Sequence, residues 1–245
     1  MSAPTVDRPG TSRRPRDART FRRFAAAVVL PIPALAIATQ PLYRPAYGTA
    51  DTATVLQQVA ERPAAQSVFV WTGALAMLTL VPAFLAAARL ARRRRPVLAT
   101  WAAGVNLAAY LGAGLGFAAF DLATEVAAGP RFDRAALVPY LDAFAAHGVF
   151  GLGIGLFVLG HIAGAVLLGA ALWDIVPRWA AVALIVSQPL HFVAFVVLQN
   201  RYLDAASWGL TAAGLIACAA VVLRTPDDEW DLPPAPAQMP VPVRA

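Results

Sequence analysis

The chain has 245 residues, 59% of them hydrophobic and only 14% charged, with a mean hydropathy of +0.60. Soluble domains carry about 25% charged residues, so the composition excludes an ordinary water-soluble fold. A single cysteine, Cys218, excludes an internal disulfide and a cysteine-built metal site, and the absence of lysine excludes a Schiff base to retinal or pyridoxal phosphate.

Residues 1–20 are polar and rich in Arg and Pro, which predicts a disordered tail. Six runs without a charged side chain follow, predicting spans over about 24–40, 67–88, 97–120, 143–173, 179–200 and 205–223. The first is short, holds Pro31 and Pro33, and ends in Ala36-Ile37-Ala38, a small-x-small pattern like a signal-peptidase site. The multi-span region behind it favours an uncleaved span. Val55, Leu56 and Val59 then make a small apolar stripe ended at Pro63, a short helix on the outer surface. Pro82 sits inside the second span, where it removes a helix hydrogen bond. The third span contains Gly112, Gly114 and Gly116. Gly129-Pro130 breaks the next loop, and residues 134–143 predict a surface helix. The fourth run is longer than a bilayer needs, so its helix tilts or starts above the membrane. Trp173 and Trp179 bracket a tight turn into the fifth span, which carries Pro189. Residues 225–245, acidic and then Pro-rich, predict a second disordered tail.

In hydrocarbon every backbone N–H and C=O must be satisfied within the segment or in a closed barrel, and uninterrupted apolar runs without two-residue alternation are helices. The expectation is an all-α polytopic transmembrane bundle of six spans. With the N-terminus inside, fifteen of the twenty arginines fall on the cytoplasmic side, which places both termini in the cytoplasm. The arginines flank the runs, as Arg89 and Arg92 to Arg95 do. The net charge of +6 therefore reads as topology and attraction to anionic headgroups, not as nucleic-acid binding. Arginine in place of lysine, with abundant Ala, Gly and Pro, points to a GC-rich bacterial genome and hence to the bacterial plasma membrane.

Polar groups inside a span are expensive and usually face the bundle interior. His161 lies twelve residues before Trp173 and His191 twelve after Trp179, so at 1.5 Å per residue both sit about 18 Å from the inner boundary. Tyr110 reaches a similar depth. Asn106 and Gln188 form a second layer nearer the cytoplasm, each on the same helix face as its neighbour Tyr110 or His191. Two readings of Asn106, Tyr110, His161, Gln188 and His191 follow. Either they wall a small-ligand pocket between spans three, four and five, or they hydrogen-bond across helices and simply hold the bundle together. No carboxylate belongs to the cluster, so catalysis is not indicated. Paired imidazoles at one depth also suit haem b or a quinone-linked redox site, although adjacent helices 8–10 Å apart leave little room for a macrocycle. A small-solute transporter would use the same pocket. Zinc is disfavoured by three histidines at unequal depths. Gly148, Gly151, Gly155, Gly160 and Gly164 read as helix-packing positions, where another membrane protein or a second copy would also fit. Asp121, Glu125, Asp133 and Asp142 read as a solvated outer loop.

The stretches Gly160-His161-Ile162-Ala163-Gly164, Leu167 to Trp173, Val176-Pro177-Arg178-Trp179-Ala180 and Gln188-Pro189-Leu190-His191, together with Gly48 to Ala53, resemble a pattern of uncharacterised multi-span membrane proteins of high-GC bacteria. The resemblance covers most of residues 20–225. It implies the topology and no assigned activity.

Overall fold

Apolar runs of bilayer length become helices because a backbone without water must bond to itself. The structure, a computed structural model, describes residues 18–49, 51–111 and 115–231, and among them every regular element is helical. Helices α1 (Ala18–Val29) and α2 (Pro31–Tyr43) join at Leu30, whose N–H still reaches Ala26 O at 3.2 Å. Pro31 opens α2 at a position where no donor is required. Then come α3 (Thr52–Glu61), α4 (Pro63–Ala91), α5 (Pro96–Ala109), α6 (Leu115–Ala127) and α7 (Arg134–Ala145). The last four are α8 (Gly148–Leu172), α9 (Arg178–Phe192), α10 (Arg201–Arg224) and α11 (Asp227–Trp230), with a π-helical turn, Val193–Val197, extending α9.

Five helical segments are long and apolar enough to cross a membrane: Ala18–Tyr43, Pro63–Ala91, Gly148–Leu172, Arg178–Val197 and Arg201–Arg224. The expected third span, 97–120, is shared between α5 and α6. Its Gly112 and Gly114 lie outside the described residues, as do the tails at 1–17 and 232–245 and Ala50. Helix α4 continues through Pro82.

Two boundaries differ from expectation for local chemical reasons. The run 143–173 divides at His147, because its Nδ1 accepts the Val149 N–H at 3.3 Å and so starts a new helix at Gly148. The preceding helix, α7, is capped by Asp133 and lies on α3, itself capped by Asp51. Asp227–Trp230, expected as tail, instead form α11, because carboxylates and carbonyls of this segment meet the arginines of α1 and of the end of α4.

The long helices close a ring. In order, α2, α4, α5, α8, α9 and α10 each pack on the next, and α10 returns to α2. Helices α3, α6 and α7 cover the end of the ring opposite α11. The ring's interior holds Leu80, Phe84, Leu168, Leu172, Leu184 and Leu215, all buried. Its outside carries exposed Trp71, Leu78, Val149 and Leu159, the reverse of a soluble surface. Small residues set the closest approaches. A Cβ on Gly160 would stand 2.7 Å from Ala109 Cβ, and one on Gly169 2.7 Å from Ala181 O. Gly148, Gly151 and Gly155, expected to pack, have nothing within 4 Å among the described residues, so only the Gly160–Gly164 step serves α5.

Candidate functional site

The α8–α9 hairpin fixes the site's geometry. Two straight helices leaving one tight turn climb equally, so His161 and His191 arrive opposite each other, with ring centroids 5.5 Å apart at an edge-to-face angle of 60°. The α5–α8 contact adds the next pair of residues. Asn106 lies over Gly164, where a Cβ would come within 2.6 Å, and the Tyr110 ring meets Phe157 at 5.6 Å and stacks on Phe84 at 5.3 Å. Gln188 faces the other way, donating from Nε2 to Thr211 Oγ1 on α10 at 2.8 Å. His191 lies six residues before the end of the π-helical turn, about 9 Å along its segment, and His161 lies near the middle of α8.

The structure adds a carboxylate that the sequence reading left out. Asp204, 2% exposed, has its Oδ1 2.5 Å from His191 Nδ1 and accepts the Tyr47 hydroxyl on Oδ2 at 2.9 Å. With both oxygens accepting, Asp204 holds the proton of His191 on Nδ1 and leaves Nε2 as the free ring nitrogen. Tyr47 lies beyond the first span, in the turn after α2. Burial, and then its bond to Asp204, raise its phenol well above the usual range, so the hydroxyl remains a donor. Arg201 and Arg44 stand nearby, Arg201 over the Tyr47 ring at 5.4 Å and Arg44 over Phe69 and Phe195.

Asp204 stands immediately before the apolar run 205–223 and outside the five residues expected to converge. A signal was nevertheless present: Asp204, Ser207 and Thr211 recur at three- and four-residue spacing, one polar face on an otherwise apolar helix, and all three are buried.

Interhelical bonding accounts for only part of the cluster. Of the five residues expected to converge, Gln188 and His191 bond to another helix. Asn106 donates to Ala102 O and His161 Nδ1 donates to Phe157 O, both on their own helices. Four buried atoms then lack a partner among the described residues: Asn106 Oδ1, Tyr110 Oη, His161 Nε2 and Gln188 Oε1. With Nδ1 protonated, neutral His161 presents a bare lone pair at Nε2, so three of the four are acceptors and the fourth is a hydroxyl. Groups left like this are costly and point to water or a ligand.

The arrangement disfavours haem. The His161 and His191 rings touch each other directly, and Phe157, Phe195 and Trp208 pack against the same two rings at 4.6, 5.9 and 5.3 Å. A macrocycle between them would displace all three. Elsewhere, a cavity of about 620 Å³ lies between α6, α7 and α8, lined by Phe117, Tyr140, Phe144, His147, Phe150 and other residues, and it is mostly apolar. Among the described residues no group of three or more His, Cys, Asp or Glu could hold a metal ion.

Compared with protein-family models, with curated proteins and with solved structures, the chain matches none.

Proposed function

We propose that the chain is a six-span protein of the bacterial plasma membrane with both termini in the cytoplasm, and that its outer half binds a small ligand bearing hydrogen-bond donors. The pocket is walled by Asn106, Tyr110, His161, Gln188 and His191, with Asp204 as the counter-charge. The observation that carries this reading is the set of unpaired acceptors on Asn106, His161 and Gln188 beside the Tyr110 hydroxyl. An acceptor-rich wall next to a carboxylate and several aromatic faces favours a protonated amine or ammonium over an anion. Access is from the outer side, because the core between the cluster and the inner end is apolar, as at Leu168, Leu172 and Leu215. The first span is retained, since α2 closes the ring between α4 and α10 and carries Tyr47 to Asp204.

Tyr110→Phe separates a pocket from simple glue. It removes a buried hydroxyl that bonds to nothing, so the purified protein should gain about 1–2 kcal/mol of unfolding free energy. Titration with SDS in mixed micelles measures this, and a loss of stability would show that the hydroxyl was holding helices together. Millimolar methylammonium chloride should raise the midpoint of the parent protein above that in sodium chloride, and this gain should disappear in His161→Leu. Equal midpoints in the two salts would remove the amine reading.

Orientation has its own test. In a Cys218→Ser background, Gln57→Cys should react with an impermeant maleimide on intact cells, and Arg93→Cys only after permeabilisation. The opposite pattern would invert the topology.

A further inference from the structure

We propose that the arginines at the inner end form a site for the phosphate of anionic lipids, and that the acidic segment Asp227–Asp231 occupies this site when such lipids are scarce. Guanidinium groups meet the segment on its polar side, while Trp230, 5% exposed, packs into the core. Arg22 and Arg89 both pair with Asp231, Arg89 at 2.6 Å, and the Arg89 guanidinium lies over the Trp230 ring at 5.2 Å. Arg92 donates to Trp230 O at 2.9 Å and Arg93 to Asp228 O at 3.5 Å. Thr20 donates to Asp227 at 2.5 Å.

This occupant fits the site imperfectly. Arg92 and Arg93 reach the segment through neutral carbonyls where a phosphate would offer charged oxygens. Arg23 Nε and Asp227 Oδ1 stand 2.8 Å apart but off the line of a hydrogen bond, so both are buried without one. Asp228 and Glu229 are exposed, spending negative charge on solvent. These arginines stand in the first half of α1, in the last turn of α4 and just past it, where headgroups would lie. An anionic leaflet would attract the arginines and repel the four carboxylates of the segment, and both forces release it. The inference rests on membrane insertion and not on the pocket in the outer half.

Hydrogen exchange on the full chain in nanodiscs tests it. The amides of Glu229, Trp230 and Asp231 bond to Pro226 O, Pro226 O and Asp227 O, so they report on the segment directly. They should be protected in phosphatidylcholine discs and exchange about tenfold faster in phosphatidylglycerol discs. Asp227→Asn combined with Asp231→Asn should exchange fast in both. Equal exchange of the parent chain in the two lipids overturns the proposal, and so does a double variant that stays protected. If inorganic phosphate releases the segment in phosphatidylcholine discs as fully as the anionic lipid does, the site takes free anions and the lipid assignment fails. Both faces of a disc present the same lipid, so the result does not depend on which end faces the cytoplasm.

Discussion

Asp204→Ala is expected to lower the unfolding free energy by about 2–4 kcal/mol, because it removes the buried carboxylate that accepts from a half-buried imidazole and a half-buried phenol. The carboxylate is enclosed, with a side-chain exposure of 3% beside 15% for His191, so solvent screens the pair only weakly. Asp204→Asn keeps the shape and one acceptor oxygen, and should lose about 1–3 kcal/mol. SDS titration followed by circular dichroism measures both. A loss below about 1 kcal/mol for Asp204→Ala, the range of an exposed pair, would mean that water reaches the carboxylate and that no enclosed cluster exists. A double-mutant cycle with His191→Gln then isolates the pair itself. The two substitutions should be strongly non-additive, because the second removes a partner already lost.

Gly169→Ala should have the next largest effect, and it acts at a distance from the cluster. Its new methyl would stand 2.6 Å from Ile185 Cγ1, 2.7 Å from Ala181 O and 3.1 Å from Ile185 N. Two of these are backbone atoms, so α9 has to move away from α8, with a loss of about 1–3 kcal/mol. The helix preference of Ala over Gly, about 1 kcal/mol, offsets only part of that. Because Gly169 lies between the tight turn and the histidines, the movement also separates His161 from His191. The paired replacement His161→Cys and His191→Cys, in a Cys218→Ser background, should cross-link readily under mild oxidation and clearly more slowly once Gly169→Ala is added. Gly151→Ala is the control, expected to stay within about 0.5 kcal/mol because nothing among the described residues approaches it. Equal losses at the two glycines would show that packing between α8 and α9 is not what holds the hairpin.

Much of the site was legible in advance because helical rise is a constant. Equal residue counts on either side of the Trp173–Trp179 turn are equal heights, so His161 and His191 had to share a level, and Gln188 and Asn106 had to lie closer to the inner end. The helix at 52–61 was legible from the stripe of Val55, Leu56 and Val59 and the stop at Pro63, and the helix at 134–145 was expected over 134–143. The same arithmetic did not reach Asp204. The chain between His191 and Asp204 includes a π-helical turn and Gln199 at φ 47°, and these irregular residues do not advance by a fixed rise. Nor did it reach α11, whose order depends on arginines more than a hundred positions away.

The sequence by itself determined that the apolar runs are helical and where the arginines gather, because these depend on the cost of unpaired backbone in hydrocarbon and on charge counted along the chain. Only the tertiary structure decided that the first span closes the ring and delivers Tyr47 to Asp204, that Gly160 and Gly164 pack while Gly148 to Gly155 do not, and which polar atoms remain unpaired. Those outcomes follow from which helix faces meet, and in a chain whose spans are almost uniformly apolar, hydropathy alone does not tell one face from another.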